Sequence, residues 1–280
     1  MSRQKQKKLR LSPSWLPVVR DHLVKEGRRQ ADNRNLHGSN TMEVLADFYG
    51  EMDTLQNAPL WWVGRDMKTL CVDTVNEGPM PPATPPPTVT GFIVFEDGFA
   101  VTRLGVLVKA VSWETVLGHD GGTDLMLRLF SDDPRATGSL IDRQLPIAPL
   151  GGATEDESVN AAVAALLSVA FALMDQPSVT SVRHARWDRT AEGPRPASLP
   201  EVSKVKMIVL RRPPTARDPE KTAEGGREYH HRWIVRGHYR NQAYGPNHSL
   251  RRRQWIPPYV AGPADAPLIE KTAVRVWRRL

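Results

Sequence analysis

Cysteine is almost absent from the 280-residue chain, which contains Cys71 alone. One cysteine can form neither an internal disulfide nor a cysteine-rich zinc site, so the composition favours a reducing cytoplasm. Long hydrophobic runs are missing too: the longest, residues 161–174, is shorter than the about 20 residues that a membrane-spanning helix needs. The basic segment 1–10 is not followed by the apolar core of a signal peptide. We therefore expect a soluble cytoplasmic protein with no membrane partner.

Motifs of the common cofactor and catalytic sites are also missing. The chain has no G-x-x-x-x-G-K-[ST] phosphate loop, no G-x-G-x-x-G turn and no G-x-S-x-G nucleophile elbow. Histidines at positions 230, 231, 238 and 248 are candidates for a metal site, but neither H-E-x-x-H spacing nor a cysteine pair accompanies them. We therefore expect no cofactor and no metal centre.

The chain does have an uneven distribution of charge around its net charge of +7. Residues 1–34 carry ten Lys and Arg against three Asp and Glu, and residues 227–280 carry eleven against three, so the middle of the chain is net acidic. Such concentrated basic segments are typical of proteins with a phosphate-rich partner. In the C-terminal segment aromatic residues and histidines alternate with the arginines, which favours nucleic acid as that partner.

Helical periodicity predicts three helices. The first spans residues 13–29, with Ser12 as its cap, and the second spans residues 41–55 with one apolar face. The third spans residues 155–174 and has Thr154 as its cap. Because it is apolar nearly all round, we expect it at the centre of the core.

Strand-forming runs dominate the rest of the chain. They are Leu60–Val75 in two pieces, Val89–Phe95, Ala100–Trp113, Asp124–Phe130 and Val202–Leu210. The gaps between the middle three are too short for crossover helices, which predicts an antiparallel meander. Six prolines between positions 78 and 87 predict an exposed loop. Residues 182–200 and 212–227 have the composition of linkers.

These patterns predict an α+β protein in which an N-terminal domain, with an antiparallel sheet and a buried helix, precedes a small basic β-rich module. We place a basic arm and short helix at residues 1–34 and an acidic α+β domain at 35–181. A linker with one strand follows at 182–228, and the basic β-rich module occupies 229–280.

The segment Tyr229–Asn241 is the most informative pattern in the chain. Its Trp, Ile, Val and Tyr residues favour a strand, and Gly237 would interrupt a helix. A strand would place alternate residues on opposite faces. One face would carry His230, Arg232, Ile234, Arg236, His238 and Arg240, and the other His231, Trp233, Val235, Gly237 and Tyr239. We therefore expect an open cationic face, with Trp233 and Val235 packed inward. A turn at 244–247 would lead into a second strand at 250–260, and residues 272–279 offer a third.

Nucleic-acid binding and RNA cleavage compete for these residues, and a third function would use the N-terminal domain instead. In nucleic-acid binding, guanidinium groups pair with phosphates and aromatic rings stack on unpaired bases; the contacts would be Arg232, Arg236, His238, Tyr239, Arg240, Arg251, Arg252, Arg253 and Trp255. Metal-independent RNA cleavage would use His238 and either His230 or His231 as proton carriers, with Arg236 stabilising the charged phosphorane. A protein-binding inhibitor would act through the N-terminal domain and the proline loop, without nucleic acid. The plainer alternative is that the histidines and arginines are ordinary packing and surface residues.

The segment His231–Arg240, HRWIVRGHYR, and Trp255-Ile256-Pro257 after it resemble the C-terminal H-x-R-R-G-H-W-R … W-x-x-P module of phage, plasmid and mobile-element proteins. One group with this module is the type V anti-CRISPR inhibitors, which lower synthesis of the effector nuclease by acting on its nascent chain and message. Pro59–Val63 is similar to the L-P-x-W-x-V strand of that family, whereas Tyr239 stands where the family usually has Trp.

The resemblance implies a mobile-element regulator whose upstream domain recognises a host or target protein and whose basic module engages RNA or a ribosome-associated complex. Combined with the charge distribution, it favours a nucleic-acid-associated protein, with RNA as the nucleic acid, that suppresses expression of a specific target. A binding protein is favoured over a ribonuclease.

Overall fold

The structure is a computed structural model that describes residues 11–33, 41–100, 107–118, 122–133, 147–149, 157–187, 199–211, 229–263 and 266–269. Its α-helices are α1 (Leu16–Asn33), α2 (Thr41–Asn57), α3 (Arg65–Glu77), α4 (Glu157–Met174) and α5 (Leu199–Ser203). Its strands are β1 (Leu60–Val63), β2 (Thr90–Ala100), β3 (Leu107–Leu117), β4 (Thr123–Ser131), β5 (Ala148–Pro149), β6 (Thr180–His184), β7 (Lys206–Leu210), β8 (Trp233–Val235), β9 (His238–Tyr244), β10 (Leu250–Ile256) and β11 (Tyr259–Ala261). The predicted α+β class is confirmed.

A seven-stranded mixed sheet organises the molecule, in the order β5-β4-β3-β2-β1-β7-β6. The predicted meander is confirmed, because β2, β3 and β4 pair antiparallel in succession. The central strand β1 instead runs parallel to both of its neighbours, β2 and β7. A parallel pair needs a crossover connection, and between β1 and β2 that connection contains α3.

Helices cover both faces of this sheet, so its central strands are apolar on both sides. The side chains of β1 are all buried and alternate between two core clusters. Trp61 and Val63 face the cluster formed with α3 and α4, whereas Leu60 and Trp62 face the cluster formed with α1, α2 and α5. The result is a three-layer sandwich, with the cluster under α3 and α4 called core cluster 1 below.

The structure confirms most of the predicted helices. A 3-10 turn at Pro13–Trp15 leads into α1, and here the carbonyl of Ser12, not its hydroxyl, accepts the Trp15 N–H at 3.0 Å. Helix α2 closely matches its prediction. Helix α4 is central to core cluster 1, as its apolar surface predicts. The predicted cap Thr154 and the linker 212–227 lie outside the described residues.

Two predictions about the chain path are wrong. The second piece of the predicted strand Leu60–Val75 is α3, because Met67, Leu70, Cys71 and Thr74 recur at helical spacing and are buried together. Residues 180–184, at the start of the predicted linker, form the edge strand β6, paired with β7. The six-proline segment does form a surface loop, although Pro81 within it is buried. Among the described helices, none is long and apolar enough to cross a membrane.

Candidate nucleic-acid interface

The C-terminal strands form one long antiparallel hairpin in a continuous register. Val235 pairs with Tyr259 at the end of the β8–β11 ladder, and His238 pairs with Ile256 at the start of the β9–β10 ladder. Two residues on each strand separate the ladders: Arg236-Gly237 on one and Pro257-Pro258 on the other. Proline has no N–H to donate, so the ladder is interrupted there while its register is kept.

The interruption brings the two strands close together at Gly237, which is buried. A Cβ at this position would lie 3.0 Å from Pro258 Cδ and 3.1 Å from the carbonyl oxygen of Ile256. Both contacts are tighter than ordinary van der Waals separation, and one of them is with backbone. The absence of a side chain at Gly237 therefore allows the two strands of the hairpin to approach closely.

Two ion pairs join the base of the hairpin to opposite ends of α3. Arg232 donates from Nη1 to Asp66 Oδ2 at 2.8 Å and from Nε to the Ala266 carbonyl at 2.6 Å. Arg236 pairs with Glu77. Asp66 and Glu77 are eleven positions apart, which is about 16 Å along the helix axis. Arg232 and Arg236 are four positions apart, which is a similar length of about 13 Å along an extended strand. The base of the hairpin therefore lies along α3, and both guanidinium groups are held in intramolecular pairs.

The face of the hairpin that contacts the sandwich changes at the interruption. Ile234 pairs with Val260, and Trp255 pairs with Tyr239, so the register places Ile234 and Trp255 on opposite faces. Nevertheless both pack against core cluster 1. The Tyr239 hydroxyl also donates to the Met80 carbonyl at 3.4 Å, on the same side as Trp255. The hairpin therefore turns one face inward before the interruption and the other face inward after it.

This change of face corrects the predicted orientation of the strand. Trp233 and Val235 do not form the packed side: Ile234, between them, packs against core cluster 1. Trp233 instead contacts Tyr229, with the two rings tilted by 42° and their centroids 4.7 Å apart. Tyr259, which shares their face of the hairpin, is 49% exposed. The predicted single strand 229–241 is likewise two strands, β8 and β9.

We call β9 and β10 with their connecting turn, residues 238–256, the arginine ribbon. It contains four arginines and no Asp or Glu. Arg240, Arg251, Arg252 and Arg253 are all exposed, and no ion pair joins them to a carboxylate of the described residues. Residues 245–249 make the turn, where Gly245 has a φ of 78° and Asn247 a φ of 52°, both in the region that favours glycine and asparagine.

Two arginines of the ribbon lie over tyrosine rings. The guanidinium carbon of Arg253 is 4.1 Å from the Tyr239 ring centroid, and that of Arg252 is 5.6 Å from the Tyr244 centroid. Such contacts hold a guanidinium plane in place while its N–H groups remain at the surface. The ribbon thus combines fixed positive charge with exposed aromatic surface, a combination found where proteins bind single-stranded nucleic acid.

The histidines do not gather into one cluster in the structure. His238 is exposed on β9, and its Nδ1 lies 3.5 Å from the Arg236 carbonyl, at the limit of hydrogen bonding. His230 and His231 lie before β8, on the other side of the interruption, with His231 at 6.0 Å from the Trp233 ring. Within the described ranges, no three His, Cys, Asp or Glu side chains are grouped as a metal would require.

The groups that set these roles are not evident from the local sequence pattern. The carboxylates of Asp66 and Glu77 withdraw Arg232 and Arg236 from the free cationic surface, and both lie more than 150 residues earlier in the chain. Gln242 and Gln254, which lie opposite arginines of the ribbon, were also missed. Only the absence of acidic residues between 238 and 256 could have singled out the ribbon.

Comparison with known families then identifies the chain. Residues 68–263 match the model of the AcrVA2-like family, described as the anti-CRISPR type V subtype A2 family. This chain belongs to the AcrVA2-like family. The match begins inside α3 and ends just after β11, so it includes the whole hairpin. Pro59–Val63, whose sequence also resembles the family, lies before the matched region. No curated protein matches the chain.

Membership of the AcrVA2-like family indicates an anti-CRISPR inhibitor. Because the matched region contains α3 together with the hairpin, the two ion pairs between them lie within or next to the family region: Glu77, Arg232 and Arg236 fall inside it, and Asp66 lies two residues before it.

Proposed function

We propose that this anti-CRISPR inhibitor is a phage or mobile-element protein that associates with RNA through its arginine ribbon and suppresses expression of a specific target. The three-layer sandwich is the part that recognises a host or target protein. The observation that carries the proposal is the difference between the two groups of arginines. Arg232 and Arg236 are paired with carboxylates of α3, whereas the four exposed arginines of the ribbon form no ion pair with a carboxylate of the described residues.

Electrostatics supports an anionic partner for the ribbon. Four cationic side chains that pair with no carboxylate of the described residues repel one another, and a phosphate backbone relieves that repulsion. Arginine binds phosphate with a planar two-pronged donor set, and Tyr239 and Tyr244 add rings on which an unpaired base can stack. The charges of Arg232 and Arg236 are already balanced by carboxylates of α3, so the proposed interface rests on the ribbon.

RNA is favoured over DNA by the resemblance to inhibitors that act on a message. The ribbon itself can contact phosphates of either polymer, so the choice is left to the experiment. The chain is purified from its host with and without nuclease treatment, and the co-purifying nucleic acid is digested separately with RNase and DNase. RNase-sensitive material supports the proposal; material sensitive only to DNase contradicts the choice of RNA.

A pair of matched variants tests the site. Arg252→Gln removes one charge from the ribbon, and Arg183→Gln removes one from an exposed arginine of the edge strand β6. We expect the first to weaken RNA binding and the second to leave it unchanged, because only the first lies in the proposed interface. Equal binding by both variants would contradict the assignment of the interface to the ribbon. Co-purification of a protein without any nucleic acid would instead favour a protein-binding inhibitor.

A further inference from the structure

The outward face of the arginine ribbon has a regular chemical pattern. Ladder pairing places Arg240 directly opposite Gln254 and Arg252 directly opposite Gln242. Residues that pair across an antiparallel ladder lie on the same face, and so do residues two positions apart on one strand. The four side chains therefore form a compact two-by-two array in which arginine and glutamine alternate along each strand and across the ribbon.

This array faces away from the sandwich. Tyr239 and Trp255 occupy the other face of the ribbon, where they contact the Met80 carbonyl and core cluster 1. Arg240, Arg252 and Gln254 are exposed and Gln242 is half-buried. Gln242 Nε2 donates to the carbonyl of its neighbour Ala243 at 3.2 Å, which leaves its amide oxygen and one N–H directed elsewhere.

Arginine and glutamine are among the side chains that bind nucleobase edges with two hydrogen bonds. Arginine pairs with the O6 and N7 atoms of guanine, and glutamine pairs with the N6 and N7 atoms of adenine. A surface that contacts only phosphates needs charge and no amides. Two glutamines interleaved with two arginines instead match a partner whose bases are presented to the ribbon.

The same reasoning identifies the form of nucleic acid. The major groove of an RNA duplex is too deep and narrow for side chains to read, so sequence-specific proteins bind RNA bases mostly in unpaired segments. The ribbon is flanked by Tyr244, which is 41% exposed. It therefore offers both hydrogen-bonding groups and a stacking surface to such a segment.

We propose that the outward face of the arginine ribbon reads the base sequence of an unpaired RNA segment, through Gln242 and Gln254 together with Arg240 and Arg252. This inference rests on the proposed function, because it assigns sequence selectivity to the same ribbon. Arg251 and Arg253, on the other face, supply phosphate contacts that do not depend on sequence.

The test uses the full chain and a pool of single-stranded RNA oligonucleotides of randomised sequence. Bound RNA is recovered, amplified and sequenced, and the affinity for enriched sequences is compared with that for the starting pool. We expect enriched purine-containing motifs that bind about fivefold or more tightly than the pool, the discrimination of at least one good base contact. A fully paired RNA carrying the same motif should lose the preference.

Two double variants assign the preference to the amides. Gln242→Met with Gln254→Met keeps side-chain length but removes the amides, and should lower the preference about fivefold or more while binding of the pool persists. Asn241→Ala with Ser249→Ala removes polar groups outside the array and should leave the preference unchanged. Unchanged enrichment in the methionine variant overturns the assignment.

The two levels of the proposal fail in different ways. If the chain binds the pool with strong salt dependence but enriches no sequence, sequence reading is wrong and RNA association stands. If the chain retains no RNA at any salt concentration, RNA association is itself wrong, and the reading of bases falls with it.

Discussion

Removal of the Asp66 carboxylate tests whether its ion pair with Arg232 fastens the hairpin to α3. The two side chains are 36% and 21% exposed, so the pair is neither fully exposed nor fully buried. Surface pairs contribute up to about 1 kcal/mol, and breaking a buried pair costs about 3–5 kcal/mol. We expect Asp66→Ala to lower the free energy of unfolding by about 1–2 kcal/mol. Arg232→Ala should cost about 2–3 kcal/mol, because it also removes the bond to the Ala266 carbonyl.

A double-mutant cycle separates the pair from the other roles of each residue. Asp66 also lies in the first turn of α3, where a carboxylate is stabilised by the helix dipole. That contribution is lost in both the single and the double variant, so it cancels and leaves a coupling energy of about 1 kcal/mol. The assay is urea unfolding of the full chain followed by tryptophan fluorescence.

The pair between Arg65 and Asp97 provides the matched control. It joins the neighbouring residue of α3 to β2 at 2.6 Å, but its side chains are 53% and 43% exposed. The bond to Asp97 raises the pKa of Arg65 above its usual value, and exposure should still keep the coupling energy below about 0.5 kcal/mol. If the Asp66–Arg232 coupling is as small as this control, the ion pair does not fasten the hairpin and the reasoning is refuted.

Three further predictions concern the sandwich. Gly91→Ala should destabilise the fold by about 3 kcal/mol or more, because a Cβ would lie 2.1 Å from the buried Trp113 ring; a stability loss below 1 kcal/mol in urea unfolding would contradict the close approach. Burial raises the pKa of the Cys71 thiol to about 12, so iodoacetamide should label Cys71 at neutral pH only after unfolding, and rapid labelling of the folded chain would show that it is accessible. Hydrogen bonds from Arg29 and Gln30 lower the pKa of Glu26 from 4.5 to about 2; its stabilising contribution should therefore be present above pH 4.5 and lost as the pH falls towards 2, and Glu26→Gln should unfold with a weaker acid dependence than the unchanged chain.

The helices and strands that are predicted correctly are those whose own residues carry a clear hydrophobic pattern. Helix α4 is apolar nearly all round and lies in core cluster 1, and the strands β2 to β4 follow one another with short gaps and pair as a meander. The turn at residues 244–247 also forms as predicted, because Gly245 supplies the positive φ that it requires. In each case the information lies within a few residues.

The predicted secondary structure is wrong where strand propensity and helical periodicity disagree within one segment. Residues 65–75 contain threonine and valine, which favour strands, yet they also have apolar residues at helical spacing. The helix forms because β1 and β2 run parallel and need a crossover between them, a requirement that is set by the sheet and not by the segment. Similarly, β6 is polar and exposed because it lies at the edge of the sheet, so it has the composition of a linker.

The candidate interface shows the limit of strand alternation. Alternation correctly separates side chains into two faces within β8 and within β9, but Pro257 and Pro258 interrupt the ladder and the inward face changes there. The residues that pair with Arg232 and Arg236 belong to α3, a segment whose local pattern predicts a strand. The division of the arginines into anchoring and exposed groups is therefore a tertiary property.

The salt dependence of RNA binding by the full chain tests the central claim most directly. The full chain is used because the hairpin packs against core cluster 1, and β7 lies inside the main sheet. Affinity for a single-stranded RNA is measured across a salt series for the unchanged chain and for a variant with Arg240, Arg251, Arg252 and Arg253 all replaced by Gln. We predict that the slope of log affinity against log salt falls in magnitude by about 3, since each lost phosphate contact removes about 0.7. An equal slope in the two proteins would contradict the claim that these four arginines bind phosphate.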